Sequence, residues 1–297
     1  MSAETVAEAE KGQLPQGWRW ETSGRVQLAV PRQWGYGTSN RPWCTRSTKE
    51  KPFVGRPGFV RSIGCPEHDK KGQIADTALS SGGQFVWFHV HEDGETRAAS
   101  EREQLTSWVT EGDRVTFELA GQRIAIQAPA PLREEILETV RVVEVDENGC
   151  PVAAPFQNDQ QWRPRGAAVT EMGEVRSVSA CRYGGAQLAS SVKVSGAKAA
   201  RAIQAIAAAP KGGGPYTPAA NCSQPEDLVA MEQIVLMVDA AESGMIGLRW
   251  DGCRHRGLDD GTTVRRLTRA AVLPFVSGPN RITSWTGGSR MARILLP

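Results

Sequence analysis

The chain has no CxxC pair, no G-x-S-x-G serine motif and only four histidines. Structural zinc sites draw two ligands from one tight turn, so a cysteine-based zinc site is not expected. The missing serine elbow and the few histidines leave little material for a hydrolytic triad. No stretch of about 18 apolar residues exists to span a membrane. No long block of like charge appears, and the formal net charge is +2, which argues against a nucleic-acid binder. Residues 1–11 lack the basic start and apolar middle of a signal peptide, so an export signal or anchor is expected outside this chain. What is present is globular: 297 residues, 40% hydrophobic and 23% charged, enough for one large domain or two ordinary ones.

The six cysteines are Cys44, Cys65, Cys150, Cys181, Cys222 and Cys253. Their even number and their turn-rich flanks favour structural disulfides, although free, buried thiols in a cytosolic protein remain the alternative. Sequential pairing is the preferred scheme. Cys44 and Cys65 share an N-terminal region of loops and short strands. Cys150 follows the Asn148-Gly149 turn and Cys181 ends an apolar run, while Cys222 and Cys253 bracket a hairpin.

Periodicity gives the coarse architecture. Arg25–Val30 alternates as a strand, and residues 38–58 are punctuated by Pro and Gly as a long loop. Strands are expected at Phe59–Gly64 and Gln84–His91, and a hairpin at 113–119 and 123–127. Leu132–Val143 carries a helical face. In the second half, 175–181 pairs with 187–194 around Gly184-Gly185. Ser195 is the expected N-cap of a helix over 197–209, and Pro210 with Gly212–Pro215 stops it. A second hairpin covers 233–238 and 245–250, and Thr262 or Thr263 is expected to cap a last helix to about Phe275. The reading is α+β in two domains, each a mostly antiparallel sheet with one or two helices on one face. Residues 1–14 form a disordered or linking segment, 15–146 the N-terminal domain, 147–173 a proline-bearing linker, and 174–297 a ββαββα domain.

Candidate chemistry is sparse. His89 and His91 share a strand face and His68 could approach them, but no spacing fixes a third ligand, so no metal is assigned. Asp259-Asp260 point apart as neighbours and read as a turn ahead of an N-cap, not as a calcium loop. Cys253-Arg254-His255 could pair thiol and base only if Cys253 is free. Gly212–Pro215 follows a helix and is no phosphate loop. No catalytic residue and no cofactor is assigned. The best binding candidates are Trp34, Tyr36, Trp43 and Arg41, aromatics among glycine, proline and arginine; the alternative is that these rings cap a core.

Gly17-Trp18-Arg19, Val30-Pro31, Trp34-Gly35-Tyr36-Gly37, Cys181-Arg182-Tyr183, Gly212-Gly213-Gly214-Pro215, Asp259-Asp260-Gly261 and Arg266-Leu267-Thr268 form a combination of motifs. In it the chain resembles uncharacterised actinobacterial extracytoplasmic proteins that usually carry a membrane anchor. The resemblance implies export and paired cysteines, and implies no activity. The leading expectation is a non-enzymatic binding, sensor or accessory domain of the cell envelope, with a protein or envelope component as partner. A secreted hydrolase with an unrecognised site and a cytosolic regulatory protein with free thiols are the alternatives.

Overall fold

The computed structural model describes residues 14–36, 51–56, 83–89, 106–159, 161–213, 232–250, 256–282, 291–292 and 294–295. The chain begins with a hairpin. Strands β1 (Trp18–Ser23) and β2 (Val26–Pro31) pair antiparallel, Trp18 opposite Pro31 and Ser23 opposite Val26. Five further strands follow: β3 (Gly35–Tyr36), β4 (Phe53–Gly55), β5 (Phe85–His89), β6 (Thr106–Glu111) and β7 (Arg114–Leu119). With β8 (Gln122–Gln127) they build a sheet in the order β3-β4-β5-β8-β7-β6. The β3–β4 and β4–β5 pairs are parallel, and the remaining pairs are antiparallel. The β7–β8 hairpin is the one that the alternation predicts.

Helix α1 (Ala130–Glu138) starts and stops earlier than its apolar spacing suggests. The stop is set by Thr139, whose hydroxyl donates to the Ile136 carbonyl at 2.6 Å and accepts the Ala29 N–H at 2.8 Å. That contact draws the chain onto β2, and β9 (Arg141–Val142) joins it to complete a three-stranded sheet β1-β2-β9. Every residue of β2 is buried. Val26, Leu28 and Val30 pack with Phe88, Phe117, Ile124, Ile126 and the helix residue Ile136. Each such fully buried side chain stabilises by roughly 1.5–3 kcal/mol.

The C-terminal part is a six-stranded antiparallel sheet. It contains β10 (Val175–Gly184), β11 (Gln187–Ser195), β12 (Gln233–Ala240), β13 (Gly244–Arg249), β14 (Gly257–Asp259) and β15 (Val264–Arg265), ordered β11-β10-β12-β13-β14-β15. Helix α2 (Ala197–Ala208) lies on one face. Its Ala199, Ala202, Ile203 and Ile206 bury against Val178, Ala180, Leu236, Val238, Ile246 and Leu248. The fold is thus α+β, with antiparallel pairing dominant.

Two helix starts differ from expectation. Ser195 does not cap α2: it closes β11, and Gly196 takes the N-cap with φ 58° and ψ −141°. The strand must reverse into the helix there, and that backbone region is open to glycine at little cost. Thr262 and Thr263 do not cap the last helix either. Their N–H groups donate to Asp260 Oδ1 at 2.9 and 2.6 Å, after which Val264–Arg265 pairs with β14. The helix starts only after Thr268, as α3 (Arg269–Val272), and passes into a 3-10 turn at Leu273–Phe275, where Pro274 offers no N–H.

Cys150 and Cys181 form a disulfide, Cα atoms 5.5 Å apart, as the sequential scheme expects. Cys44, Cys65, Cys222 and Cys253 lie outside the described residues, as do Arg41, Trp43, His68, His91 and the strand expected at Phe59–Gly64. Among the described residues no helix is long and apolar enough to cross a membrane.

The two parts of the chain meet along a polar seam. Gly24 N–H donates to Leu188 O at 2.6 Å. Arg56 Nε donates to Ala189 O at 3.0 Å, while its Nη2 reaches Glu21 Oε2 at 2.7 Å and Thr22 O at 3.1 Å. Glu21 also holds Arg19 at 2.6 Å. A few residues away, buried Arg182 binds Ser190 Oγ at 2.9 Å and Glu232 at 2.8 Å. Burial alone would make the Arg182 guanidinium easier to deprotonate, and the Glu232 carboxylate opposes that.

Candidate functional site

Strand alternation gives the C-terminal sheet two unlike faces. Val178 and Ala180 point toward α2, so Ser177, Ser179, Cys181 and Tyr183 point away from it. On this second face the register sets Ser179 beside Lys193 on β11 and Met237 on β12, with Met245 of β13 next in the row. One step along β10, Ser177 lies beside Asp239.

The described residues cover only half of this face. The stretch from Cys150 to Trp162 crosses its far end and packs Cys150, Phe156 and Trp162 on Cys181, Tyr183, Leu188 and Val235. Phe156 meets Tyr183 edge-on at 5.6 Å and tilts against Trp162 at 5.8 Å. Arg249 fixes this cover through Gln233 Oε1 at 3.0 Å and Trp162 O at 3.2 Å. The proline-bearing stretch around 147–173 is therefore packed on the sheet over much of its length. Further on, Gly166 meets Gly244, and a Cβ on Gly166 would lie 2.6 Å from Gly244 Cα, so the two backbones touch only because both are glycine.

The uncovered half is an open groove of about 490 Å³. Ser177, Ser179 and Met237 form its floor. Asn148 and Gly149 form one rim, and Arg165, Ser243 and Gly244 another. The Asn148 rim is tightly held. Ser179 Oγ donates to Asn148 O, and Asn148 Nδ2 donates to Ser191 Oγ at 2.8 Å. Ser191 Oγ in turn donates to Asp146, which also accepts the Cys150 N–H at 2.8 Å. The disulfide anchors the same turn to β10.

Asp146 is the buried acid behind this rim. Burial pushes its carboxyl above the ordinary value, and the bonds from Ser191 and the backbone only partly oppose that. A carboxyl with a raised pKa in the folded state takes up its proton before the unfolded chain does. Its contribution is then fully present below the unfolded value of 3.8 and is lost as pH rises through the folded value. The wild type is expected to gain stability over Asp146→Asn as pH falls from about 7 toward about 4. Thermal unfolding of both proteins across that range checks the sign; a constant difference would show that Asp146 titrates normally.

Charge in the groove is unbalanced. Asp239 is its one lining acid, and Arg176 takes it in an exposed ion pair whose hydrogen bond holds the carboxyl below its ordinary value. Lys193 and Arg165 are exposed on opposite sides, and the Lys193 charge also helps to lower the Asp239 carboxyl.

Of the residues singled out by sequence, those that are described lie elsewhere. Trp34 is 3% exposed and packs within the N-terminal core, its carbonyl accepting Arg19 Nη1 at 2.8 Å. Tyr36 is half-buried under the Arg19 guanidinium, 4.5 Å from its ring centre, beside Gly278. Burial, aided by the Glu21 charge, pushes its hydroxyl up to about 12. Asp259 and Asp260 are buried and structural. Asp259 takes Arg163 through two hydrogen bonds, at 2.6 and 3.1 Å, and Asp260 accepts the Val169 N–H at 3.1 Å. His89 ends β5. Among the described residues no group of three or more His, Cys, Asp or Glu could hold a metal ion.

No family model, no curated protein and no solved structure matches this chain. The groove residues were open to sequence reasoning in one respect only. Ser177 and Ser179 alternate with Val178 and Ala180, which marks a polar sheet face, while Asp146, two residues ahead of Asn148-Gly149, is a turn acceptor that the turn signal itself should have brought to notice.

Proposed function

We propose that this protein is a non-enzymatic binding module of the cell envelope, a sensor or accessory domain, with the groove on the β10–β12 face as its ligand site. The observation that carries the reading is an open groove of mixed polar and apolar lining on a sheet face, rimmed by a braced turn and bearing the exposed cations Lys193 and Arg165. Binding sites placed on regular elements hold their geometry better than sites on loops. The extracytoplasmic placement rests on the buried Cys150–Cys181 bond, since such bonds persist in oxidising compartments and are rare in the cytosol.

Turnover is the weaker reading of the same groove. Ser179 and Lys193 are cross-strand partners, a residue pair that some hydrolases use as nucleophile and base. Ser179 Oγ, however, donates to Asn148 O, and Lys193 is exposed. A lysine serves as a base after desolvation, which this position does not supply.

The test is direct. Methyl-labelled methionine gives NMR signals from Met237 and Met245, assigned by Met237→Leu and Met245→Leu. Fractionated envelope peptides and glycans are titrated in. Saturable shifts of these two signals are expected, and fractions that move neither would remove the groove as the ligand site. A thiol count on unfolded, unreduced protein is expected near zero for the six cysteines; six reactive thiols would return the cytosolic alternative.

A further inference from the structure

The groove has a shape and charge order that select one kind of ligand. Lys193, Ser179, Met237 and Met245 form one row across four adjacent strands. Strands lie about 4.8 Å apart, so the row runs about 14 Å from β11 to β13. Arg165 lies past its far end, on the segment whose carbonyl accepts the Met245 N–H at 3.0 Å. The order is cation, hydroxyl, two thioethers, cation. Methionine side chains adapt to varied apolar groups, so the middle of the row accepts an apolar side chain without demanding one shape.

An extended peptide lying across the strands matches this order. Its side chains at i, i+2 and i+4 share one face. The i to i+4 distance is about 13 Å at about 3.3 Å per residue; centred on Met237 it leaves about 3 Å at each end of the roughly 19 Å between Lys193 and Arg165, a gap that lysine, arginine and glutamate side chains can bridge. We infer that the groove binds an extended acidic peptide segment of the pattern acid–x–apolar–x–acid. Its apolar residue lies over Met237 and Met245, and its two carboxylates meet Lys193 and Arg165. This deepens the binding-module reading and rests on it. Asp239 is offset by its exposed ion pair with Arg176 and by the Lys193 charge, so with Arg165 the groove keeps an excess of positive charge.

The probe is a fluorescein-labelled peptide with glutamates at i and i+4 and leucine at i+2, followed by anisotropy at low ionic strength and by the two methionine methyl signals. Saturable binding with methyl shifts is expected, weakening as salt is added. Lys193→Ala and Arg165→Ala should each weaken it by roughly two- to fivefold. Glutamine in place of both glutamates, or moving the second glutamate to i+3 so that it faces away, should weaken it further. Equal binding of the glutamine peptide, indifference to both cation variants, or binding that leaves the methyl signals still would overturn the inference. So would no binding of the glutamate peptide. The groove reading itself is judged apart from this, by the envelope fractions, and survives if they shift Met237 and Met245 while the glutamate peptide does not.

Discussion

Replacing Glu21 with alanine is expected to cost about 3–5 kcal/mol of folding stability, the range for removing one partner from a buried ion pair. Glu21 is 3% exposed and is shared by Arg19 at 2.6 Å and Arg56 at 2.7 Å. Without it, two guanidinium groups face each other in a poorly solvated seam. Arg56 cannot simply swing out: it also donates to Thr22 O and Ala189 O and lies 5.2 Å from the centre of the Phe88 ring. Because Ala189 belongs to β11, the damage should reach the C-terminal sheet as well as the hairpin. Denaturant unfolding measures the loss. The double variant Glu21→Ala/Arg56→Ala removes a stranded charge along with its partner, so it should lose less than the sum of the two single variants. Simple additivity, or a loss under about 1 kcal/mol for Glu21→Ala, would mean that the ion network contributes little.

The elements most legible in the sequence are those whose signal is local. Alternation from Val175 and from Gln187, with Gly184-Gly185 between, specifies β10 and β11, and the alanine-rich run after Ser195 specifies α2. The Cys150–Cys181 bond was legible from a turn before one cysteine and a strand at the other. Signals that depend on distant partners were not. β9 is two residues long and exists because Val26 and Gln27 pair with it, and β15 exists because Leu258 and Asp259 do. Trp34 reads from its glycine neighbours either as a surface anchor or as a ring that caps a core, and only the fold around β2 shows that it packs in the core.

The groove was illegible for a related reason. Lys193, Ser179, Met237 and Met245 are spread over four strands, and only the pairing register brings them into one row. Arg165 joins them through a single bridge between Gly166 and Gly244. None of these residues belongs to a short motif, so no local pattern announces them. A polar sheet face half-hidden by its own preceding segment becomes visible only once the cover of Phe156 and Trp162 is located.

Removing the disulfide should separate stability from binding. Cys150 and Cys181 are 31 residues apart in sequence, and closing a loop of that length limits the unfolded chain by about 3.5 kcal/mol in the chain-entropy model. Alanine at both positions avoids placing hydroxyls in a pocket where both sulfurs are fully buried. Cys150→Ala/Cys181→Ala is therefore expected to lower the denaturation midpoint by an amount equivalent to about 3 kcal/mol or more, since the lost sulfur packing adds to the entropic part. The second effect is local. Asn148 and Gly149 then stay over the groove only through Ser179, Ser191 and Asp146, so the rim should open under conditions where the sheet remains folded. Hydrogen exchange at the backbone N–H of Gly149 and of the residue after it, compared between wild type and variant, reads that opening directly. Faster exchange there, with β10 and β12 still protected, would tie the bond to the site as well as to the fold. Unchanged exchange, together with a loss under about 1 kcal/mol, would show that the polar contacts hold the rim unaided.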